Sequence, residues 1–74
     1  MTADDIPEGM VVTFRDIQKA HFCAAGARRW FEAHDLDFLD FTKNGIAATT
    51  LFATDDAFAL RVLVLKLAGE TPNG

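Results

Sequence analysis

The stretch Phe58-Ala59-Leu60-Arg61-Val62-Leu63-Val64-Leu65-Lys66-Leu67-Ala68 decides how this chain is read, because only Arg61 and Lys66 interrupt an otherwise apolar run. On a helix, five steps of about 100° put those two side chains roughly 140° apart, so they do not mark one narrow wet face. A helix this apolar must be covered on most sides, and a short chain has little to cover it with. The competing conformation is a buried strand, since valine alternates with leucine from Leu60 to Leu67. A helix is expected because Thr54-Asp55-Asp56, just upstream, offers a capping threonine and two acids to complement the positive helix end.

Chain size sharpens the problem of cover. Seventy-four residues make one domain, and a domain of this size buries only roughly 60% of its unfolded surface. Small domains commonly add disulfides, a metal or oligomerisation. Cys23 is the only cysteine, which excludes an internal disulfide and a cysteine-only metal site. Association with a partner or a second copy is therefore the expected supplement, and Phe58, Leu60, Val62, Leu63, Leu65 and Leu67 are its candidate surface. A lone thiol fits a reducing compartment. The acidic start Met1–Gly9 lacks the basic and apolar regions of a secretory signal. The apolar run is shorter than the ~20 residues that span a bilayer, so a soluble protein with no membrane partner is expected.

The net charge of −4 is unevenly placed. Asp4, Asp5, Glu8 and Glu70 lie outside Val11–Ala68, leaving as many bases as acids within it. Arg15, Lys19, Arg28 and Arg29 crowd the first half, opposed by Asp16; Glu32, Asp35, Asp37, Asp40, Asp55 and Asp56 follow, with only Lys43 among them. A basic end and an acidic end suit head-to-tail packing or electrostatic steering better than duplex binding. Arg28, Arg29, Asp55 and Asp56 are the candidate polar contacts.

Along the chain, residues 1–9 read as a flexible acidic tail, 10–68 as a single helical domain and 69–74 as a flexible C-terminal tail. Met10-Val11-Val12 is a brief extended segment or a hydrophobic lead-in. Thr13 and Asp16 form a capping-box pattern with Val12 and Ile17 as its staple, opening a helix from Phe14 to about Ala20. A second helix runs from about Cys23 to His34, with Cys23, Ala27, Trp30, Phe31 and His34 as its apolar stripe. Gly26 within it is either a site of close helix approach or a tolerated weak spot. Asp37 caps a third helix, Phe38 to Lys43, whose buried face is Phe38, Leu39 and Phe41 and which stops at Asn44-Gly45. Ile46–Phe52 is ambiguous and read as a short helical turn. The expected fold is all-α: a compact bundle of three to four short helices with flexible acidic tails.

No catalytic, cofactor or metal set stands out. Cys23 and His34, eleven residues apart on one helix, would be about 16 Å apart, too far for a thiolate–imidazole pair. Cys23 reads as a small core hydrophobe and His34 as a satisfied histidine at a helix end. Asp35, Asp37 and Asp40 fail as a calcium loop because Leu39 and Asp40 stand where a ligand and a glycine are needed. Phe14–Ala20, a bend, then Cys23–His34 with Arg28 and Arg29 exposed could imitate a helix-turn-helix, although the acids of the second half oppose DNA.

The block Phe22-Cys23-Ala24-Ala25-Gly26-Ala27-Arg28-Arg29-Trp30-Phe31-Glu32-Ala33-His34-Asp35-Leu36-Asp37, the following Phe38–Ile46 segment, and Leu51-Phe52-Ala53-Thr54-Asp55-Asp56-Ala57 resemble a family of small proteins from tailed phages and prophages. The shared pattern is a Cys-x-x-Gly-Ala-Arg helix, a His-x-Leu-Asp corner, a helix ending at Asn-Gly-Ile, and a Leu-x-Ala-Thr-x-Asp-Ala start to the last helix. Asp35 and Asp55 depart from it, standing where glycine is expected. The resemblance implies a virion structural or assembly component, a head–tail or tail adaptor subunit located in the virion or, during assembly, in the host cytoplasm. Its partners would be other virion proteins or itself, with no small molecule. The alternatives are a phage-encoded inhibitor or regulator of a host protein, and a small DNA-binding regulator.

Overall fold

The computed structural model describes residues 1–69; of the C-terminal tail expected over 69–74, Gly69 instead belongs to the last helix and 70–74 lie outside the described residues. Five α-helices and one pair of short strands follow each other. They are β1 (Val11–Val12), α1 (Phe14–Lys19), α2 (Ala24–Ala33), α3 (Phe38–Asn44), β2 (Ile46–Ala47), α4 (Ala48–Ala53) and α5 (Ala57–Gly69). The expected all-α bundle of three to four helices is corrected in two respects: the chain is mostly helical but has five α-helices among the described residues, and β1 and β2 pair antiparallel, Val11 opposite Ala47 and Val12 opposite Ile46. Two β-branched residues, and an isoleucine released by Gly45, suit this extended pairing. The Ala48 amide extends it by donating to the Met10 carbonyl at 2.9 Å. The helix expected over Ile46–Phe52 therefore begins two residues late, at Ala48.

The helix starts follow local side-chain chemistry. Asp16 Oδ2 accepts from the Thr13 amide at 2.8 Å and the Thr13 hydroxyl at 3.2 Å, while the staple residues Val12 and Ile17 are both fully buried. Asp37 Oδ1 accepts from the Asp40 amide at 3.0 Å to open α3. The start of α5 differs from expectation. Thr54 closes α4 instead, its hydroxyl donating to the Leu51 carbonyl at 2.7 Å, and Asp56 caps α5 by accepting from the Phe58 amide at 2.9 Å. The break falls there because Asp55 is left-handed, with φ 53°.

The helix ends share that device. His21 (φ 65°) and Asp35 (φ 57°) terminate α1 and α2 in the left-handed region. After α2, the Asp35 amide donates to the Glu32 carbonyl at 3.2 Å and the Leu36 amide to the Phe31 carbonyl at 2.8 Å, the paired bonds of a Schellman end. The two aspartates standing where glycine was expected are thus both left-handed non-glycines. After α3 the left-handed position is a glycine: Gly45 has φ 77°, and a Cβ there would collide with Val11 Cγ1 and the Val12 carbonyl oxygen.

Phe31, Phe41, Ile17, Leu51, Leu63, Val12 and Val62 are the largest fully buried side chains, drawn from β1 and every helix. A ladder of ring contacts, Phe31 to Phe41 at 4.6 Å and Phe31 to Phe38 at 5.6 Å, joins α2 to α3. The N-terminal stretch read as a tail includes a 3₁₀ turn at Ala3–Asp5, and Ile6 behind it is buried in the core. The Cα radius of gyration, 11.6 Å, matches the ~11 Å expected of a compact domain this long.

Candidate association surface

The phase of α5 settles which of its apolar residues can meet a partner. Ala59, Val62 and Leu63 are buried, and Lys66, one turn further on the i, i+3, i+4, i+7 stripe, follows them inward. Its ammonium pairs with Asp16 Oδ2 at 2.9 Å, and the two side chains are 17% and 11% exposed. Burial would raise the Asp16 carboxyl, but the Thr13 amide and the Lys66 ammonium outweigh it and hold it below the usual value. The opposite stripe, Arg61, Val64, Leu65 and Ala68, is exposed, with Val64 at 52% and Leu65 at 39%.

The six proposed α5 contacts therefore divide. Val62 and Leu63 are core residues and closed to any partner of the folded domain, because α1 and α4 pack on that side. Phe58, Leu60 and Leu67 are half-buried, and Leu65 alone is exposed. Phe58 stacks on Phe22 at 4.5 Å and on Trp30 at 4.7 Å. Fellow elements of the same chain thus supply much of the cover that the sequence reading sought from outside.

The four polar candidates are also separated. Arg28 is exposed and makes an i, i+4 pair with Glu32 at 3.6 Å. Arg29 and Asp55 are exposed. Asp56 is an intramolecular tie: its Oδ2 accepts from the Trp30 indole N–H at 2.8 Å as well as from Phe58. The Trp30 N–H first, then the Phe58 amide, hold its carboxyl below the ordinary value.

Two further expectations are corrected, those for Cys23 and His34, and the alternative at Gly26 is resolved. Cys23 is exposed rather than in the core; it is the α2 cap, its sulfur accepting from the Gly26 amide at 3.3 Å. A Cβ on Gly26 would meet only that sulfur, at 3.4 Å, so no helix packs closely there and the tolerated weak spot holds. His34 is not satisfied: its ring lies 4.1 Å from the Trp30 ring, and both nitrogens are shut from solvent with no hydrogen-bond partner among the described residues. The backbone bonds that close α2 already use the Trp30, Phe31 and Glu32 carbonyls nearby.

The most exposed large apolar side chain lies elsewhere. Leu39, expected on the buried face of α3, is 71% exposed. Phe38 and Phe41 define that face, and Leu39 lies about 130° from its midline, so the helical spacing already carried the signal. Leu39, with Leu36 and Phe38, lines a surface groove of about 350 Å³ between α2 and α3, rimmed by Arg28, Glu32 and Asp37. A smaller recess of about 70 Å³ lies beside the α5 stripe, lined by Asp16, Lys19, Leu65, Lys66 and Gly69. Among the described residues no group of acidic, histidine or cysteine side chains has the arrangement to hold a metal ion, and no helix is long and apolar enough to cross a membrane. No known protein family, curated protein or solved structure matches the chain.

Proposed function

We propose that this chain is a structural or assembly subunit of a tailed-phage particle, an adaptor or accessory component that works by protein–protein association. The observation that carries the association reading is the exposed Leu39, set with Leu36 and Phe38 in a groove whose rim is charged. An apolar floor within a polar rim is the anatomy of a protein contact. The phage assignment is supported by the resemblance of Phe22–Ile46 and Leu51–Ala57 in sequence. The exposed α5 stripe gives a second surface of the same kind. Mass spectrometry of purified intact particles tests the assignment: the chain is expected at stoichiometric levels, and its absence from particles while abundant in the infected cell would sink it in favour of an inhibitor or regulator of a host protein.

A further inference from the structure

We infer that the partner of the α2/α3 groove is a second copy of this chain, docked head-to-tail through its α5 ridge; this deepens the association reading and rests on it. The two surfaces share no residue and complement each other in charge. The ridge presents Val64 and Leu65, with the exposed Arg61 on one side and Lys19 beside Leu65 on the other. Lys66 adds no net charge there, being paired with Asp16. The groove presents Leu36, Phe38 and Leu39; Arg28 and Glu32 pair with each other and add no net charge, which leaves Asp37 as the unpaired acid of its lining. Among exposed neighbours in the chain, Asp35 beside Leu36 and Asp40 beside Leu39 outnumber Lys43, one helical turn beyond Leu39, so the surroundings stay acidic.

Pairing ridge with ridge about a two-fold axis would set the basic rims together, and pairing groove with groove would set the acids together. Only ridge into groove joins opposite charges and covers both apolar sets. Such a contact is heterologous, so every bound copy offers a free groove and a free ridge, and growth continues into a ring or a row. Two contacts of about 800 Å² each would cover roughly a third of the 4933 Å² surface of a subunit. These patches are small, so each contact belongs to the weak class and needs high local concentration.

Sedimentation equilibrium on the full chain up to about 1 mM, the weak end of specific affinity, tests this. Wild type should rise well above its 8.1 kDa mass, and less so at high salt. Leu39→Lys puts a cation where the basic ridge docks, and Val64→Glu puts an acid where the acidic groove docks. Both side chains are more than half exposed, so circular dichroism should show both variants folded. Each alone should lose at least about tenfold in self-affinity, roughly 1.4 kcal/mol. An equimolar mixture keeps one intact ridge and one intact groove, so association should be restored at least to a one-to-one dimer. Wild type that stays monomeric overturns the inference and leaves both surfaces for a different protein. A Leu39→Lys variant that assembles like wild type, or a mixture that fails to dimerise, overturns it equally. A monomeric chain found in intact particles sinks this inference alone, whereas an assembling chain absent from particles sinks the phage assignment alone.

Discussion

The two ends of α5 are tied to the rest of the fold by the same kind of residue working in different surroundings. At its N-terminus Asp56 caps α5 and also accepts the Trp30 indole N–H of α2. Toward its C-terminus Asp16, which serves the capping box of α1, accepts the Lys66 ammonium. In each case one carboxylate does a local and a long-range job. The Trp30 tie is backed by rings, Phe31, His34 and Phe58 all lying within 5.4 Å of the indole centroid, whereas the Lys66 tie is an ion pair at the edge of a small recess. Packing should therefore dominate the first end and charge the second.

The largest expected effect comes from removing the rings. Trp30→Ala should destabilise the domain by about 3 kcal/mol, read in denaturant unfolding. Trp30→Phe keeps one ring and loses the N–H and part of the indole's bulk, so it should cost less, about 1–2 kcal/mol. If the two cost the same, the indole hydrogen bond rather than packing holds this end, and the contrast between the ends fails.

Lys66→Met should cost less, at most about 1 kcal/mol, as partly exposed pairs do. Its signature is the dependence on conditions. The Asp16 carboxyl is depressed in the folded state, so its contribution is present above the unfolded value near pH 4 and is lost as pH falls through the folded pKa. The gap between wild type and Lys66→Met should therefore close below about pH 4, and narrow at high salt while the Trp30→Ala gap does not. Equal salt dependence of the two gaps would refute the distinction.

The smallest effect is a gain. Asp35 and Asp55 are exposed and left-handed, a conformation that costs a non-glycine residue about 1 kcal/mol. Glycine relieves that but frees the unfolded chain, so Asp35→Gly and Asp55→Gly should each raise stability by roughly 0.5 kcal/mol. Because Asp55 precedes the Asp56 cap, a loss of stability in Asp55→Gly would show that its carboxylate also supports the tie to Trp30.

Much of this architecture was legible because helix boundaries depend on groups within one turn of each other. Thr13 with Asp16, Asp37 with Asp40, and Asn44-Gly45 each act locally, and each starts or stops a helix where the sequence places it. The buried pair Ala27 and Phe31 was equally visible as a helical stripe. The groove was half legible: the Phe38–Phe41 spacing turns Leu39 outward, but its meeting with Leu36 and Arg28 depends on how α3 returns along α2.

The sequence by itself determined that this chain is mostly helical, where the caps of α1 and α3 sit, and that its last helix needs extensive cover. Tertiary structure alone decided what supplies that cover. It turned Lys66 inward onto Asp16 and Arg61 outward, so the two polar residues of α5 divide its faces. It also paired Val11 with Ala47, brought Trp30 to Asp56 and left Cys23 in solvent. These outcomes join residues far apart in the chain, and no local energy chooses among such pairings. They follow from which apolar faces meet when all of the elements pack at once.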